Sequence, residues 1–160
     1  MKIVKPALIF VAALLLILIV AIHHDAGAGM AVERISESAL DELINAKNNK
    51  VVVTFMASWC GPCIDELPAL NKVYNRFKDR GLNLIGISID LEGPQAIQPI
   101  LDKLKVRFPV YWYGESAVQK FSLSAIPMIF FVNDGRIIGK MPGRRTENQL
   151  TQKIREFLDL

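Results

Sequence analysis

The stretch "FMASWCGPCIDELPAL", Phe55–Leu70, contains both cysteines of the 160-residue chain, three positions apart with Gly61-Pro62 between them. It follows "VVVTF", Val51–Phe55, a continuous β-branched run that reads as a strand buried on both faces. After it, Ile64, Leu67, Leu70, Tyr74 and Phe77 recur at three- and four-residue steps, a helical pattern with Gly81 as its stop and Pro68 as an internal kink. Cys60 and Cys63 therefore sit at a strand-to-helix junction, close enough in a first helical turn to close a disulfide. Free N–H groups and the helix dipole at such a junction stabilise a thiolate, the nucleophile of disulfide exchange. This assigns attack to Cys60. Cys63, one turn into the helix and more buried, would resolve the mixed disulfide.

Two other uses of the thiols are weaker. A staple closing so short a loop removes little unfolded-state entropy. A zinc site needs four ligands, and the two histidines, His23 and His24, lie outside the domain, where they read as polar residues at headgroup level.

The rest of the chain extends the same alternation. Ser36 to Ala46 is a helix with Leu40, Leu43 and Ile44 on one face. Leu82 to Ile89 is a second buried strand, and "PQAIQPILDKL" from Pro94 a further helix. "FPVYWY" and a short helical piece around Glu115 to Phe121 precede "MIFFV", Met128–Val132, a third strand. Asn133-Asp134-Gly135-Arg136 is a hairpin turn leading into "IIGKM". Glu147 to Leu158 is an amphipathic helix, and Arg144-Arg145 before it read as a solvated turn. The aromatic group Tyr111, Trp112, Tyr113 reads as cover for the sheet. The pattern predicts an α/β fold, a mixed sheet with helices on both faces.

Composition narrows the function. A net charge of +3 with interleaved acids and bases leaves no nucleic-acid stripe, and two cysteines are too few for a disulfide scaffold. At the N-terminus, Lys2 and Lys5 precede the charge-free run Pro6–Ile22, at the lower edge of the roughly 17–25 residues that span a bilayer. A cleaved signal, with Ala26-Gly27-Ala28 as its site, competes with an uncleaved anchor; the length of the apolar run favours the anchor. The expected organisation is an anchor or signal at 1–22, a flexible linker at 23–32 and one domain at 33–160. The lysines before the run place the domain outside the cytoplasmic membrane, facing periplasm or exterior, where disulfides persist.

"WCGPC", Trp59–Cys63, is similar to the active site of thioredoxins. The longer "F-x-A-S-W-C-G-P-C-x-x-E-x-P", Phe55–Pro68, resembles the TlpA-like family of membrane-anchored extracytoplasmic thioredoxins, over roughly residues 33 to 160. The resemblance implies a thioredoxin-like fold and a thiol–disulfide oxidoreductase needing no cofactor and no metal. It implies a cis Ile126-Pro127 bond facing the cysteines, and a substrate surface that includes Trp59, Ile126 and Pro127. The segment from Glu92 to Trp112 resembles the insertion that sets this family apart. Cytoplasmic thioredoxins carry a buried aspartate where this chain has Thr54. In the TlpA-like pattern the glutamate three residues after the second cysteine handles protons, and Glu66 matches it. As neighbours on one helix face, Cys63 and a partly buried Glu66 with a raised pKa are suited to exchange a proton.

The implied substrates are disulfides of exported proteins such as apocytochrome c. A membrane thiol transporter is the implied electron donor, and the chain is expected to be a monomer. Thioredoxin-fold copper chaperones use a wider cysteine spacing and a histidine in the domain. Thiol peroxidases want Thr or Ser three residues before a single cysteine, where this chain has Ala57. Both remain as alternatives.

Overall fold

The computed structural model describes residues 29–47 and 49–159, so the expected anchor, 1–22, lies outside the described residues. Among those residues no helix is long and apolar enough to cross a membrane. The elements are β1 (Glu33–Arg34), α1 (Glu37–Asn45), β2 (Lys50–Met56), α2 (Gly61–Phe77), β3 (Asn83–Ser88), α3 (Pro94–Lys103), β4 (Val110–Trp112), α4 (Ser116–Lys120), β5 (Met128–Asn133), β6 (Arg136–Pro142) and α5 (Glu147–Leu158). A single 3-10 turn, Lys78–Arg80, closes α2.

Local chemistry sets most boundaries. Ser36 caps α1 by accepting from the Ala39 N–H at 3.2 Å. Thr146 and Gln149 form a reciprocal capping box at the start of α5. After the 3-10 turn, Gly81 takes a left-handed φ of 88° that few side chains tolerate, and the Leu82 N–H returns to the Phe77 carbonyl. Pro68, expected as a kink, lies inside one uninterrupted helical span.

The six strands form one mixed sheet in the order β1-β4-β3-β2-β5-β6. β2 is central, parallel to β3 and antiparallel to β5, and Val51–Met56 are all buried, as a run without alternation requires. The β5–β6 hairpin turns at Asp134 (φ 50°) and Gly135 (φ 75°), the left-handed pair a two-residue hairpin loop demands.

The pleat divides the core into two layers. On one face Phe131 meets Phe157 of α5 at 5.3 Å, and Lys72 and Arg76 tie α2 to Glu147 of α5. On the other, Phe55 packs on Phe121 and Phe130 at 4.9 and 5.0 Å, while Lys120 of α4 pairs with Glu37 and Asp41 of α1. Alternation along β2 places Thr54 on the α2/α5 face with Val52.

The sequence reading omits β1. Its two residues pair with Tyr111 and Trp112, and Arg34 stacks over the Trp112 ring at 4.0 Å. Val32, within the expected linker, is buried, and its N–H donates to Gln98 of α3.

Candidate active site

β2 delivers the chain to the cysteines. Past Met56 it turns so that the Cys60 N–H donates to the Ala57 carbonyl at 3.1 Å, and Cys60 becomes the N-cap of α2. Its Sγ lies 3.3 Å from the Cys63 nitrogen, and its carbonyl accepts from Cys63 and Ile64. The Cys63 amide in the first turn thus points at the Cys60 sulfur, the arrangement that favours a thiolate once the pair is reduced. Here Cys60 and Cys63 are joined in a disulfide with Cα atoms 5.2 Å apart. Cys60 is 6% exposed and Cys63 2%. Trp59 projects into solvent, 63% exposed, which places it on the surface beside the pair and not in the core.

Register brings the proline loop to the same end of the sheet. Met128 pairs with Phe55, so Pro127 lies level with the end of β2. The Ile126-Pro127 bond is cis, Pro127 is buried and Ile126 half-buried.

Glu66, one turn beyond Cys63, is 1% exposed. Its Oε1 accepts from the Arg145 backbone N–H at 2.6 Å, and its Oε2 is buried without a protein partner. Burial pushes the carboxyl up from 4.5 to about 7, against the opposing pull of the Arg145 N–H and of the Arg145 and Arg144 charges. Such a group holds both protonation states near neutrality. The solvated-turn reading of Arg144-Arg145 is therefore corrected. Arg144 does reach a surface partner, Asp65, at 3.2 Å, but Arg145 turns its amide and a buried Nε inward. Thr54 Oγ1 is also buried and unpartnered.

Asp90 was missed by sequence reasoning. It is fully buried just beyond β3 and accepts from the Ser58 N–H at 2.9 Å, the Ser58 hydroxyl at 2.6 Å and the Ser88 hydroxyl at 2.7 Å. Its carbonyl accepts from Trp112 Nε1 at 2.7 Å, which gives the half-buried aromatic segment a structural role. Asp90 thereby clamps the loop that carries Trp59 and Cys60, and the next residue, Leu91, is 64% exposed. An acidic residue directly after a buried strand was the available signal, but Ser58 lies 32 positions away.

Residues 30–141 match the AhpC/TSA family. The chain belongs to that family. It is 30% identical over 111 residues to the thiol-disulfide oxidoreductase ResA of Bacillus cereus (strain ZK / E33L), a match covering 68% of this chain and 64% of that relative's length. Among solved structures it resembles StoA from Bacillus subtilis, with a TM-score of 0.61 and 25% identity over 68% of this chain and 84% of that one. A thiol:disulfide interchange protein of the thioredoxin family from Chlorobium tepidum TLS shares the fold, with a TM-score of 0.62 and 23% identity over 70% and 81% of the two chains. The thioredoxin-like α/β fold with a mixed sheet is thereby established, and the Cys60–Cys63 disulfide is consistent with a C-x-x-C redox site.

Proposed function

We propose that this protein is a thiol–disulfide oxidoreductase that reduces disulfides in exported proteins from an anchored position outside the cytoplasmic membrane. The observation that carries the reading is the Cys60–Cys63 disulfide at the N-terminus of α2, with a buried carboxyl one turn further on. Relatives named as thiol-disulfide oxidoreductases support it.

In the reduced protein the Cys60 thiolate attacks a substrate disulfide. One substrate sulfur becomes bonded to Cys60 and the other leaves as a thiolate. Glu66, as carboxylate, takes the proton from the Cys63 thiol. The Cys63 thiolate then attacks Cys60 Sγ, forming the intramolecular disulfide and releasing the second substrate sulfur. Two electrons have passed to the substrate. The Glu66 proton is free to go to a departing thiolate or to water. A membrane thiol transporter that carries electrons outward would regenerate the dithiol, and apocytochrome c is the kind of substrate the family resemblance implies. Trp59 and the Ile126-Pro127 loop flank the cysteines as the docking surface.

Trapping tests this directly. Cys63→Ala in an exported fraction should accumulate mixed disulfides through Cys60, released by reductant and identified by mass spectrometry. An absence of any Cys60-linked partner would overturn the proposal.

A further inference from the structure

The turn between β6 and α5 makes three contacts in three consecutive residues. The Gly143 N–H donates to the Pro127 carbonyl at 2.8 Å, the Arg144 guanidinium reaches Asp65 at 3.2 Å, and the Arg145 N–H donates to Glu66 Oε1 at 2.6 Å. One turn thus joins the cis-proline loop to two successive residues of the cysteine-bearing helix. We propose that this turn is a positioning element of the redox site, in which Arg145 fixes the Glu66 carboxyl through its peptide N–H and supplies the positive charge that lets a buried carboxylate form beside Cys63. The inference rests on the proton role given to Glu66 above.

Two buried atoms without partners carry it. Glu66 Oε2 is an acceptor and Arg145 Nε a donor, and their residues are already joined by a backbone hydrogen bond. Both atoms are shielded from water, so this turn holds a donor and an acceptor of two joined residues inside the protein. The Arg145 guanidinium is held at the turn, where its NH2 group donates to the Pro142 carbonyl at 2.6 Å. Gly143, at φ 76°, supplies the left-handed step that turns the following amides inward.

The surroundings leave this role to the turn. On α2, Cys63 is the neighbouring titratable group, and Asp65 is exposed and paired with Arg144. β2 presents the neutral Thr54 and no charge between Val51 and Met56. On α5, Glu147 is engaged by Lys72 and Arg76. The positive charges that act on Glu66 are those of Arg145 and Arg144. Proton transfer from the Cys63 thiol requires Glu66 to begin as a carboxylate. Burial alone opposes that state, and Arg145 restores it near neutral pH.

The test uses the full-length reduced chain in detergent. The Glu66 side-chain carboxyl carbon is titrated by NMR, with its signal assigned by its loss in Glu66→Gln, and Cys63 alkylation is followed against pH. In Arg145→Met the midpoint should rise from about 7 by about one pH unit. Release of substrate from the mixed disulfide at neutral pH should slow by up to about tenfold. Arg145→Lys, which keeps the charge, should recover part of both. Should Arg145→Met fail to fold, Arg144→Met, at a side chain 52% exposed, should show a smaller rise in the same direction. An unchanged midpoint in folded Arg145→Met overturns the proposal. If Glu66→Gln meanwhile still alters the pH profile of Cys63, the proton role stands without it. If Glu66→Gln leaves that profile unaltered, the proton role falls and the proposal falls with it.

Discussion

Replacing Glu66 by Gln should change how stability depends on pH, by an amount the structure sets. Glutamine has nearly the same shape and can still accept the Arg145 N–H through its amide oxygen, but it cannot ionise. The wild-type carboxyl is 1% exposed, and burial raises its pKa from 4.5 to about 7. At about 1.4 kcal/mol per pH unit, that rise corresponds to about 3 kcal/mol. The folded state binds the proton more tightly than the unfolded chain does. The contribution is therefore present in full below 4.5 and is lost as pH climbs through about 7. Denaturant unfolding of the oxidised protein, followed by tryptophan fluorescence at several pH values between about 4 and about 8, measures it. Wild-type stability should fall relative to Glu66→Gln by about 3 kcal/mol across that window, since every other titrating group cancels between the two proteins. Two stability curves parallel to within about 1 kcal/mol would refute the reasoning, because a carboxyl buried in this way must register in the linkage.

Two further substitutions probe the scaffold around the site. Asp90→Ala removes the acceptor for three donors, two of them on Ser58. It should cost on the order of 3 kcal/mol in thermal or denaturant unfolding and lower disulfide-reductase activity more than the stability loss explains. Gly135→Ala places a Cβ 3.1 Å from Asn45 Oδ1 and 3.3 Å from Asn45 Cα at φ 75°. It should destabilise by about 1 kcal/mol or more while leaving the pH profile of the cysteines unchanged.

Whatever depends on neighbours in sequence was legible. The β-branched run became the central strand because its burial on both faces needs no partner to be recognised. Asn133-Asp134-Gly135-Arg136 became the hairpin because left-handed positions demand those residues. The amphipathic helix Glu147–Leu158 matches its expected limits, with Thr146 as its cap. The Cys60–Cys63 disulfide and the burial of Glu66 were legible for the same reason, being set at the start and within the first turns of one helix. β1 was not legible, since two residues carry no periodicity and are strand only through pairing with Tyr111 and Trp112. Arg145 failed likewise. A basic pair after a glycine usually faces water, and what turns Arg145 inward is a carboxyl 79 residues earlier.

The two buried carboxyls show why residue type alone could not assign these roles. Asp90 and Glu66 are 0% and 1% exposed, Asp90 bonded to the Ser58 loop that precedes Cys60 and Glu66 on the helix that carries Cys63. Asp90 meets three donors from two serines, so its oxygens are committed and the group acts as a fixed anchor for the Ser58–Cys60 loop. Glu66 meets one backbone donor and keeps an oxygen with no protein partner. A carboxyl saturated with donors holds geometry; a carboxyl with a spare oxygen can carry a proton. Removing a donor from Asp90 would therefore loosen the Ser58–Cys60 loop. The difference resides in partners 32 and 79 residues away along the chain, which is where the chemistry of this site is decided.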